Sequence, residues 1–323
     1  MTDGPTTDPT VYVLIPVHNR LGYTRACLTC LERQTYTWME VVVIDDGSTD
    51  GTSTALAREF PRVTVLRGNG RLWWTGAMAM GVRHVLRRCA ANDYILCQNN
   101  DTLFELDYVS TLVRVSRERG GALVGSVLRN WDDGTLISLG PKIDWWRSQI
   151  CDLNKLVDDP EVLCREEVIE SIDALPGRGT LVPVRVFRRI GNFRPILLPH
   201  YIADYEFSAR AKQRGERLLL STRAVVYTVP ERPRPAGPPG VRSTLRAFFS
   251  RRSNTNLIDQ LIFFAISGPP RTRPRAVFWT LRHAFRALRG ALNASRPGPA
   301  RDAGREGLPD HGAGRASPPR PER

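Results

Sequence analysis

Short apolar runs alternate with helix-like segments through the first hundred residues, and this alternation limits the possible folds. Three of the runs, Val11–Pro16, Met39–Ile44 and Tyr94–Gln98, are rich in apolar residues and end abruptly in polar loops. Near-continuous apolar strands are typical of a parallel sheet covered on both faces. Right-handed crossovers bring the carboxyl ends of such strands to one edge, where open α/β sheets bind their ligands. The pattern therefore predicts an α/β fold with its site at that edge.

Acidic and amide side chains directly follow two of these runs. Asp45 and Asp46 come after the second run, and Asn99, Asn100 and Asp101 come after the third. An Asx turn is the alternative interpretation of the second group, because Asn and Asp commonly close strands by bonding their own backbone. Hard oxygen ligands of this kind suit Mg²⁺ or Mn²⁺. Asp101 is the first candidate for a metal ligand.

A glycine-rich segment with two tryptophans, residues 68–77, follows the short run Val63–Leu66. Glycines allow a ligand to approach the backbone closely. Thr75 or Gly76 can begin a helix to about Arg88, whose free N–H groups would favour phosphate. The alternative is an ordinary loop that places Trp73 and Trp74 in the core.

Three motifs in this order resemble the nucleotide-sugar-binding half of a family 2 glycosyltransferase with the GT-A fold. They are Val13-Leu14-Ile15-Pro16-Val17-His18-Asn19, then the acidic segment 43–52, then Asn99-Asn100-Asp101. The resemblance implies a Rossmann-like, mostly parallel central sheet flanked by helices, with a C-terminal helical extension. It also implies that the nucleotide-sugar is bound by Pro16, Asn19, Asp45, Asp46, Gly76, Asn99, Asn100 and Asp101. The family's usual Asp-x-Asp is Asn-Asn-Asp here, so Asp101 is left as the carboxylate for Mg²⁺ or Mn²⁺.

A further acidic motif, residues 203–207, resembles the one that begins the helix beneath the acceptor site in this family. The resemblance implies that Asp204 is the general base, because an acceptor hydroxyl is a weak nucleophile until a positioned carboxylate takes its proton. A helix N-cap is the alternative role for Asp204, and an i,i+4 pair with Arg210 is the alternative for Glu206. The candidates for the acceptor or sugar pocket are Trp73, Trp74, Arg178, Gly179, Thr180, His200, Tyr201 and Glu206. His200 could also be an extra metal ligand.

The positive charge lies in the C-terminal third of the chain. Residues 231–323 carry 18 basic and 6 acidic residues, out of 46 and 33 in the whole chain. The expected organisation is a flexible N-terminus at 1–10, a GT-A catalytic domain at 11–230 with a donor half at 11–128 and an acceptor half at 129–230, a proline-rich linker at 231–243, a basic amphipathic helical region at 244–294 and a disordered tail at 295–323. Helices over Thr244–Ser267 and Arg275–Leu292 suit either an anionic membrane surface or packing against the catalytic domain.

Composition narrows the compartment and the partners. No apolar stretch approaches the ~18 residues needed to span a bilayer, and the six cysteines are too scattered for a disulfide framework. We therefore expect a cytoplasmic protein that contacts the inner face of the cell membrane through residues 244–294. Cys27-x-x-Cys30 lies in a helical segment and lacks a second pair of ligands, so it indicates small helix residues. Nucleic acid is not an expected partner, because the catalytic portion is nearly neutral.

The predicted activity is the inverting transfer of a sugar from a nucleoside diphosphate sugar to a hydroxyl of a glycan or lipid-linked acceptor, in polysaccharide or glycolipid biosynthesis. Trp73-Trp74 and residues 177–180 resemble those of bacterial rhamnosyltransferase-like members. That resemblance implies a dTDP- or UDP-linked hexose or deoxyhexose donor, with rhamnose as one candidate. The alternatives are a sugar nucleotidyltransferase, which needs no acceptor base, and a catalytically silent binding module, suggested by Asn99 and Asn100 at two acidic positions.

Overall fold

Residues 8–228, 240–253 and 255–294 are described by a computed structural model. The first part alternates strands and helices: β1 Val11–Val17, α1 Leu21–Glu32, β2 Met39–Asp45, α2 Thr52–Glu59, β3 Thr64–Arg67, α3 Trp73–Val85, β4 Tyr94–Cys97, β5 Thr102–Leu103 and α4 Tyr108–Glu118. The second part is less regular: β6 Leu123–Asn130, β7 Leu136–Ser138, β8 Pro141–Asp144, β9 Gln149–Asp152, 3-10 turns at Leu153–Lys155 and Pro160–Arg165, β10 Val168–Ile169, β11 Thr180–Pro183, α5 Val184–Ile190, α6 Ala203–Gln213 and β12 Leu218–Thr228. Three helices follow: α7 Val241–Phe249, α8 Leu257–Ser267 and α9 Arg273–Ala294.

A single mixed sheet forms the centre of the molecule, with the path β10-β12-β6-β11-β4-β1-β2-β3. Strands β3, β2, β1 and β4 are mutually parallel, and β6 is parallel to β12. Strand β11 runs antiparallel to both β4 and β6, and so joins the two parallel groups. The α/β fold with a mostly parallel sheet, expected from the apolar runs, is confirmed.

Helices cover both faces of the sheet, which explains why its strands are apolar at almost every position. Leu14 and Ile44 point to the face packed by Met78 of α3. Val13 and Val43 point to the opposite face, packed by Leu28 of α1. All of these side chains are at most 1% exposed, so both faces contribute to the core.

Several boundaries differ from the sequence expectation. Helix α3 begins at Trp73, before the expected start at Thr75 or Gly76. The segment expected as one helix from Thr244 to Ser267 is divided into α7 and α8. Asn256 causes this break, because its side chain accepts hydrogen bonds from the first N–H groups of α8 and so starts a new helix. Helix α7 begins within the expected linker, while the expected structure of residues 1–7, 229–239 and 295–323 lies outside the described residues.

The C-terminal helices pack against the acceptor half through α8. Phe263 is fully buried and stacks on Trp145, which lies between the hairpin strands β8 and β9, at a centroid distance of 5.5 Å. Phe264, Ile202 and Tyr205 belong to the same apolar cluster. Packing against the catalytic domain, one of the two uses expected for this region, is therefore confirmed for α8. Within the described ranges, none of the helices has the length and apolar character to cross a membrane.

Candidate active site

The loops that follow β1 and β2 are tied together at the carboxyl edge of the sheet. The amide nitrogen of Asn19 donates to Ser48 Oγ at 2.7 Å, and Asn19 Oδ1 accepts from the Thr49 N–H at 2.9 Å. Asp45 Oδ1 accepts from the Ser48 N–H at 2.9 Å. Pro16 lies in β1, where it pairs with Ile44 of the neighbouring strand β2. Asn19 and Asp45 are therefore already committed to shaping this edge.

Asp46 organises the glycine-rich segment. Its Oδ1 accepts from the Gly70 N–H at 2.8 Å, and its Oδ2 accepts from the N–H groups of Leu72 and Trp73 at 2.8 and 3.1 Å. The carboxylate, in a residue only 6% exposed, thus satisfies the backbone donors at the start of α3. Several N–H groups at this helix start are therefore occupied: Asp46 accepts from Leu72 and Trp73, the Pro199 carbonyl accepts from Thr75, and the Leu72 carbonyl accepts from Gly76.

Asn99, Asn100 and Asp101 form the turn between β4 and β5, but their side chains bond other segments and not their own backbone, so the turn is not an Asx turn. Trp74 Nε1 donates to Asn99 Oδ1 at 3.0 Å, and Asn100 Nδ2 donates to a hydroxyl of α1 at 2.9 Å. Asp101 Oδ2 accepts from Arg20 at 3.2 Å, whereas Asp101 Oδ1 is buried without a hydrogen-bond partner. Such an orphaned oxygen fits an absent cation, so the residues present are compatible with a divalent metal. No cluster of three His, Cys, Asp or Glu side chains suited to a metal occurs in the part of the chain that the structure describes.

Asp204 is the second residue of α6, and its partly buried carboxylate reaches across to the loop before β11. Its Oδ2 accepts from the Gly177 N–H at 2.6 Å, and its Oδ1 accepts from the Tyr205 N–H at 2.9 Å. Desolvation raises the pKa of Asp204 above the ordinary aspartate range, although these N–H groups and the charge of Arg178 partly oppose the shift. The N-cap alternative is wrong, because Ile202 occupies the cap position.

Gly177 connects this carboxylate to Trp74. A methyl group on Gly177 would lie 2.2 Å from Cζ2 of Trp74 and 3.2 Å from Cβ of Asp204, so only glycine fits between them. Because Trp74 Nε1 also donates to Asn99, one indole spans the distance from the β4 turn to the loop that holds Asp204. Sequence reasoning included residues 177–180 among the resemblances but missed this contact, since nothing in the spacing of residues 74 and 177 indicates it.

The rest of the loop before β11 is also fixed by internal contacts. Gly179 has φ +84°, donates its N–H to the Cys97 carbonyl at 2.9 Å and accepts from Ser126 Oγ at 2.7 Å. Arg178 donates to Thr228 Oγ1 at 3.2 Å. Thr180 donates to the Pro176 carbonyl at 2.6 Å. The segment is a rigid support, and the buried Thr180 contributes to its shape.

Glu206 does not belong to a sugar pocket, which corrects the sequence expectation. Its residue is 2% exposed, and its carboxylate pairs with Arg210 at 2.9 Å and with Arg194 at 3.3 Å. The i,i+4 pair that was the alternative role is therefore confirmed. His200 lies in the loop before α6. Its ring packs on the rings of Trp73 and Tyr201 at centroid distances of 5.4 and 4.4 Å. Burial lowers the pKa of His200, and its Nδ1 has no hydrogen-bond partner.

Comparisons with known proteins agree with this architecture. Residues 12–167 match the family model described as Glycosyl transferase family 2. A stretch of 112 residues is 31% identical to glycosyltransferase GlyA of Streptococcus pneumoniae serotype 4, covering 33% of this chain and 15% of the relative. Glycosyltransferase GlyG of the same organism is 26% identical over 126 residues, covering 38% of this chain and 40% of the relative. The chain thus spans less than half the length of either relative.

Solved structures share the fold at low sequence identity. The mannosyltransferase PcManGT from Pyrobaculum calidifontis, in complex with GDP-Man and Mn²⁺, is 20% identical with a TM-score of 0.58, covering 90% of this chain and 75% of the other. GalNAc-T7 with UDP, GalNAc and Mn²⁺ is 15% identical with a TM-score of 0.56, covering 69% and 44%. S. aureus TarS is 14% identical with a TM-score of 0.53, covering 90% and 56%.

The sheet topology and these neighbours define a GT-A glycosyltransferase fold. The matched segment adds a more particular similarity: residues 12–167 resemble glycosyl transferase family 2. The matched residues include Asp45, Asp46 and Asp101 but end before Asp204.

Proposed function

We propose that this chain is an inverting glycosyltransferase, which moves a sugar from a nucleoside diphosphate sugar to an acceptor hydroxyl. The observation that carries the proposal is the Asp204 carboxylate, which is partly buried, has a raised pKa and is joined through Gly177 and Trp74 to the turn containing Asp101. A base and a diphosphate site must lie near one another for in-line displacement. The contacts through Trp74 support that placement.

The donor site is proposed at the turn after β4. Asp101 would hold a divalent ion through its unpartnered Oδ1, and the bound ion would supply positive charge to neutralise the diphosphate leaving group. The Mn²⁺ present with both PcManGT and GalNAc-T7 is consistent with this assignment. Asp45 and Asp46 line the nucleotide side, where Asp46 acts by holding the glycine-rich segment in place. A dTDP- or UDP-linked hexose or deoxyhexose, including rhamnose, remains the proposed donor.

Asp204 is the proposed base. A carboxylate with a raised pKa is a stronger base than an exposed aspartate. Its two backbone N–H donors fix the carboxylate in one orientation, so it can accept the proton of an acceptor hydroxyl as the new bond forms. One displacement by that hydroxyl inverts the anomeric configuration.

We also propose that α9 rests on an anionic membrane. Several large apolar side chains on this helix are more than half exposed: Val277, Phe278, Leu281, Phe285 and Leu292. The helix carries five arginines and no acidic residue, so its charge is complementary to acidic headgroups. A lipid-linked acceptor in polysaccharide or glycolipid biosynthesis would fit such a location. Sedimentation with vesicles of phosphatidylcholine and phosphatidylglycerol tests this point: Phe278→Ser with Phe285→Ser should reduce pelleting, and Leu156→Ser on the catalytic domain should not.

A donor screen with and without Mn²⁺ tests the catalytic proposal. Asp101→Ala and Asp204→Asn should abolish transfer, while Asn99→Ala should weaken it modestly. Asp107→Asn is the matched control, because Asp107 is exposed and its side chain makes no hydrogen bond within the described residues. Full transfer by Asp204→Asn would reject the assigned base. Absence of transfer and of donor hydrolysis across a broad donor panel would favour the silent binding module.

A further inference from the structure

A pocket lies beside the candidate active site, and the proposed function assigns no role to it. It has a volume of about 230 Å³ and is bounded by Trp73 and Gly76 of α3, by the prolines 195 and 199 and by three arginines, Arg71, Arg83 and Arg251. Trp73 is the neighbour of Trp74, which contacts Asn99. The pocket therefore opens within one residue of the indole that borders the proposed reaction centre.

The three arginines are not used by the fold. Several arginines elsewhere in the described residues have carboxylate partners, such as Arg25 with Glu59 at 2.6 Å and Arg129 with Glu161 at 2.7 Å. Across residues 8–228, 240–253 and 255–294, by contrast, the guanidinium groups of the pocket make neither an ion pair nor a hydrogen bond. Burial raises the pKa of Asp259, and the charge of Arg251 partly opposes that shift, but the two groups are not within ion-pairing distance. Three uncompensated cations around one cavity create a strongly positive site.

Residues of α3 line the pocket along the helix axis. Gly76 and Arg83 are seven residues apart, or two helical turns, so they lie on the same face about 10 Å apart along the axis. Gly76 leaves space at the base of the pocket. A methyl group at this position would lie 3.2 Å from Leu72 and 3.9 Å from Pro195. Ile196, at 95% exposure, adds an apolar wall. An extended ligand can therefore reach from Trp73 towards Arg83.

We infer that this pocket binds a phosphate or diphosphate group carried by the acceptor. The inference rests on the proposed function, in which the donor diphosphate belongs to Asp101. The backbone donors at the start of α3 are occupied by Asp46, so the arginine side chains supply the recognition. Guanidinium groups bind phosphate oxygens in bidentate fashion. The proline and isoleucine wall would pack against the group attached to that phosphate, whether a soluble glycosyl phosphodiester or a lipid.

Calorimetric titration of the full chain with sodium pyrophosphate, without donor and with EDTA, tests the site directly. Removal of divalent metal keeps pyrophosphate from the Asp101 site. Arg83→Gln and Arg71→Gln should each weaken binding by about tenfold, the effect of losing one charge-assisted hydrogen-bonded contact. Arg87→Gln is the matched control, because Arg87 is exposed just after α3 and lies outside the pocket. Equal affinity of Arg83→Gln and wild type, or an equal loss in Arg87→Gln, would overturn the inference.

Competition distinguishes the source of the phosphate. Displacement of pyrophosphate by soluble glycerophosphoglycerol assigns a soluble phosphodiester, and displacement only by equimolar phosphatidylcholine and phosphatidylglycerol vesicles assigns a lipid headgroup. Displacement by neither would overturn the acceptor assignment. Donor hydrolysis by the wild type separates the two proposals. If pyrophosphate binding depends on the arginines but no donor is turned over, the proposed function is contradicted, and the assignment of the bound phosphate to an acceptor fails with it. Turnover with unchanged pyrophosphate affinity in Arg83→Gln contradicts the pocket alone.

Discussion

Gly177→Ala is the substitution that most directly tests the connection between the proposed donor turn and Asp204, the proposed base. The added methyl group would lie 2.2 and 2.6 Å from two carbons of the Trp74 ring and 3.2 Å from Cβ of Asp204. Carbon atoms do not approach so closely, so the indole or the loop must move. Movement of the indole weakens its hydrogen bond to Asn99, and movement of the loop changes the N–H that holds Asp204.

The cost follows from the kind of contact. Inserting a methyl group into a packed site costs about 1–3 kcal/mol of unfolding free energy. Trp74→Phe removes the two ring carbons that obstruct the methyl group, but it also loses a hydrogen bond worth about 0.5–1.5 kcal/mol. If the clash is the cause, Gly177→Ala should cost less in the Trp74→Phe background, with a coupling of about 0.5–3 kcal/mol.

Urea unfolding of the two single variants and the double variant measures this coupling, and transfer rates on the same samples measure its effect on activity. Gly22→Ala is the control, because that helical glycine has no neighbour within 4 Å and should gain about 0.5–1 kcal/mol. Costs that simply add in the double variant would refute the contact, as would an unchanged transfer rate in Gly177→Ala.

Three other outcomes are expected. Burial raises the folded-state pKa of Asp204, so the stability contributed by this group is present at low pH and lost as pH rises through that pKa. The unfolding temperature of the wild type should therefore fall as pH rises through that pKa, and its transfer rate should fall on acidification at a pH above the ordinary aspartate range. Glu206→Gln leaves the Arg210 side chain, 10% exposed, without its charge partner and should cost about 3–5 kcal/mol in urea unfolding, whereas Glu118→Gln, in a surface pair, should cost less than about 1 kcal/mol. Burial raises the pKa of Cys27 to about 12, so a thiol reagent should label the native protein at Cys30, Cys151 and Cys164, and should label Cys27, Cys89 and Cys97 only after unfolding.

The sheet was predictable because its signal is local and repeated. Runs such as Val41-Val42-Val43 need no partner to be recognised as buried strands, and three of them in sequence indicate the edge where polar residues gather. The positions of Asp45, Asp46 and Asp101 at that edge follow from the same pattern. The pattern could not indicate which residue each polar side chain hydrogen-bonds or pairs with.

Asp46 illustrates this limit. A carboxylate after a strand is equally compatible with a ligand contact and with a structural cap, and the structure shows it receiving three backbone N–H groups from a segment more than twenty residues away. Glu206 is similar, since the i,i+4 spacing to Arg210 predicts a pair but Arg194 joins from another loop. Long-range contacts of this kind depend on loop conformations that residue types alone do not determine.

The packing of α8 affects how the acceptor half could be exchanged between enzymes. Asp204 lies at the start of α6, and the next residue, Tyr205, packs into the cluster that contains Phe263 and Phe264. A chimera that took residues 129–230 from a relative would include the proposed base but not the α8 residues Phe263 and Phe264 that pack against Tyr205. The transferable unit for altering acceptor choice in this chain is consequently residues 129–230 together with α8, although residues 231–256 separate the two.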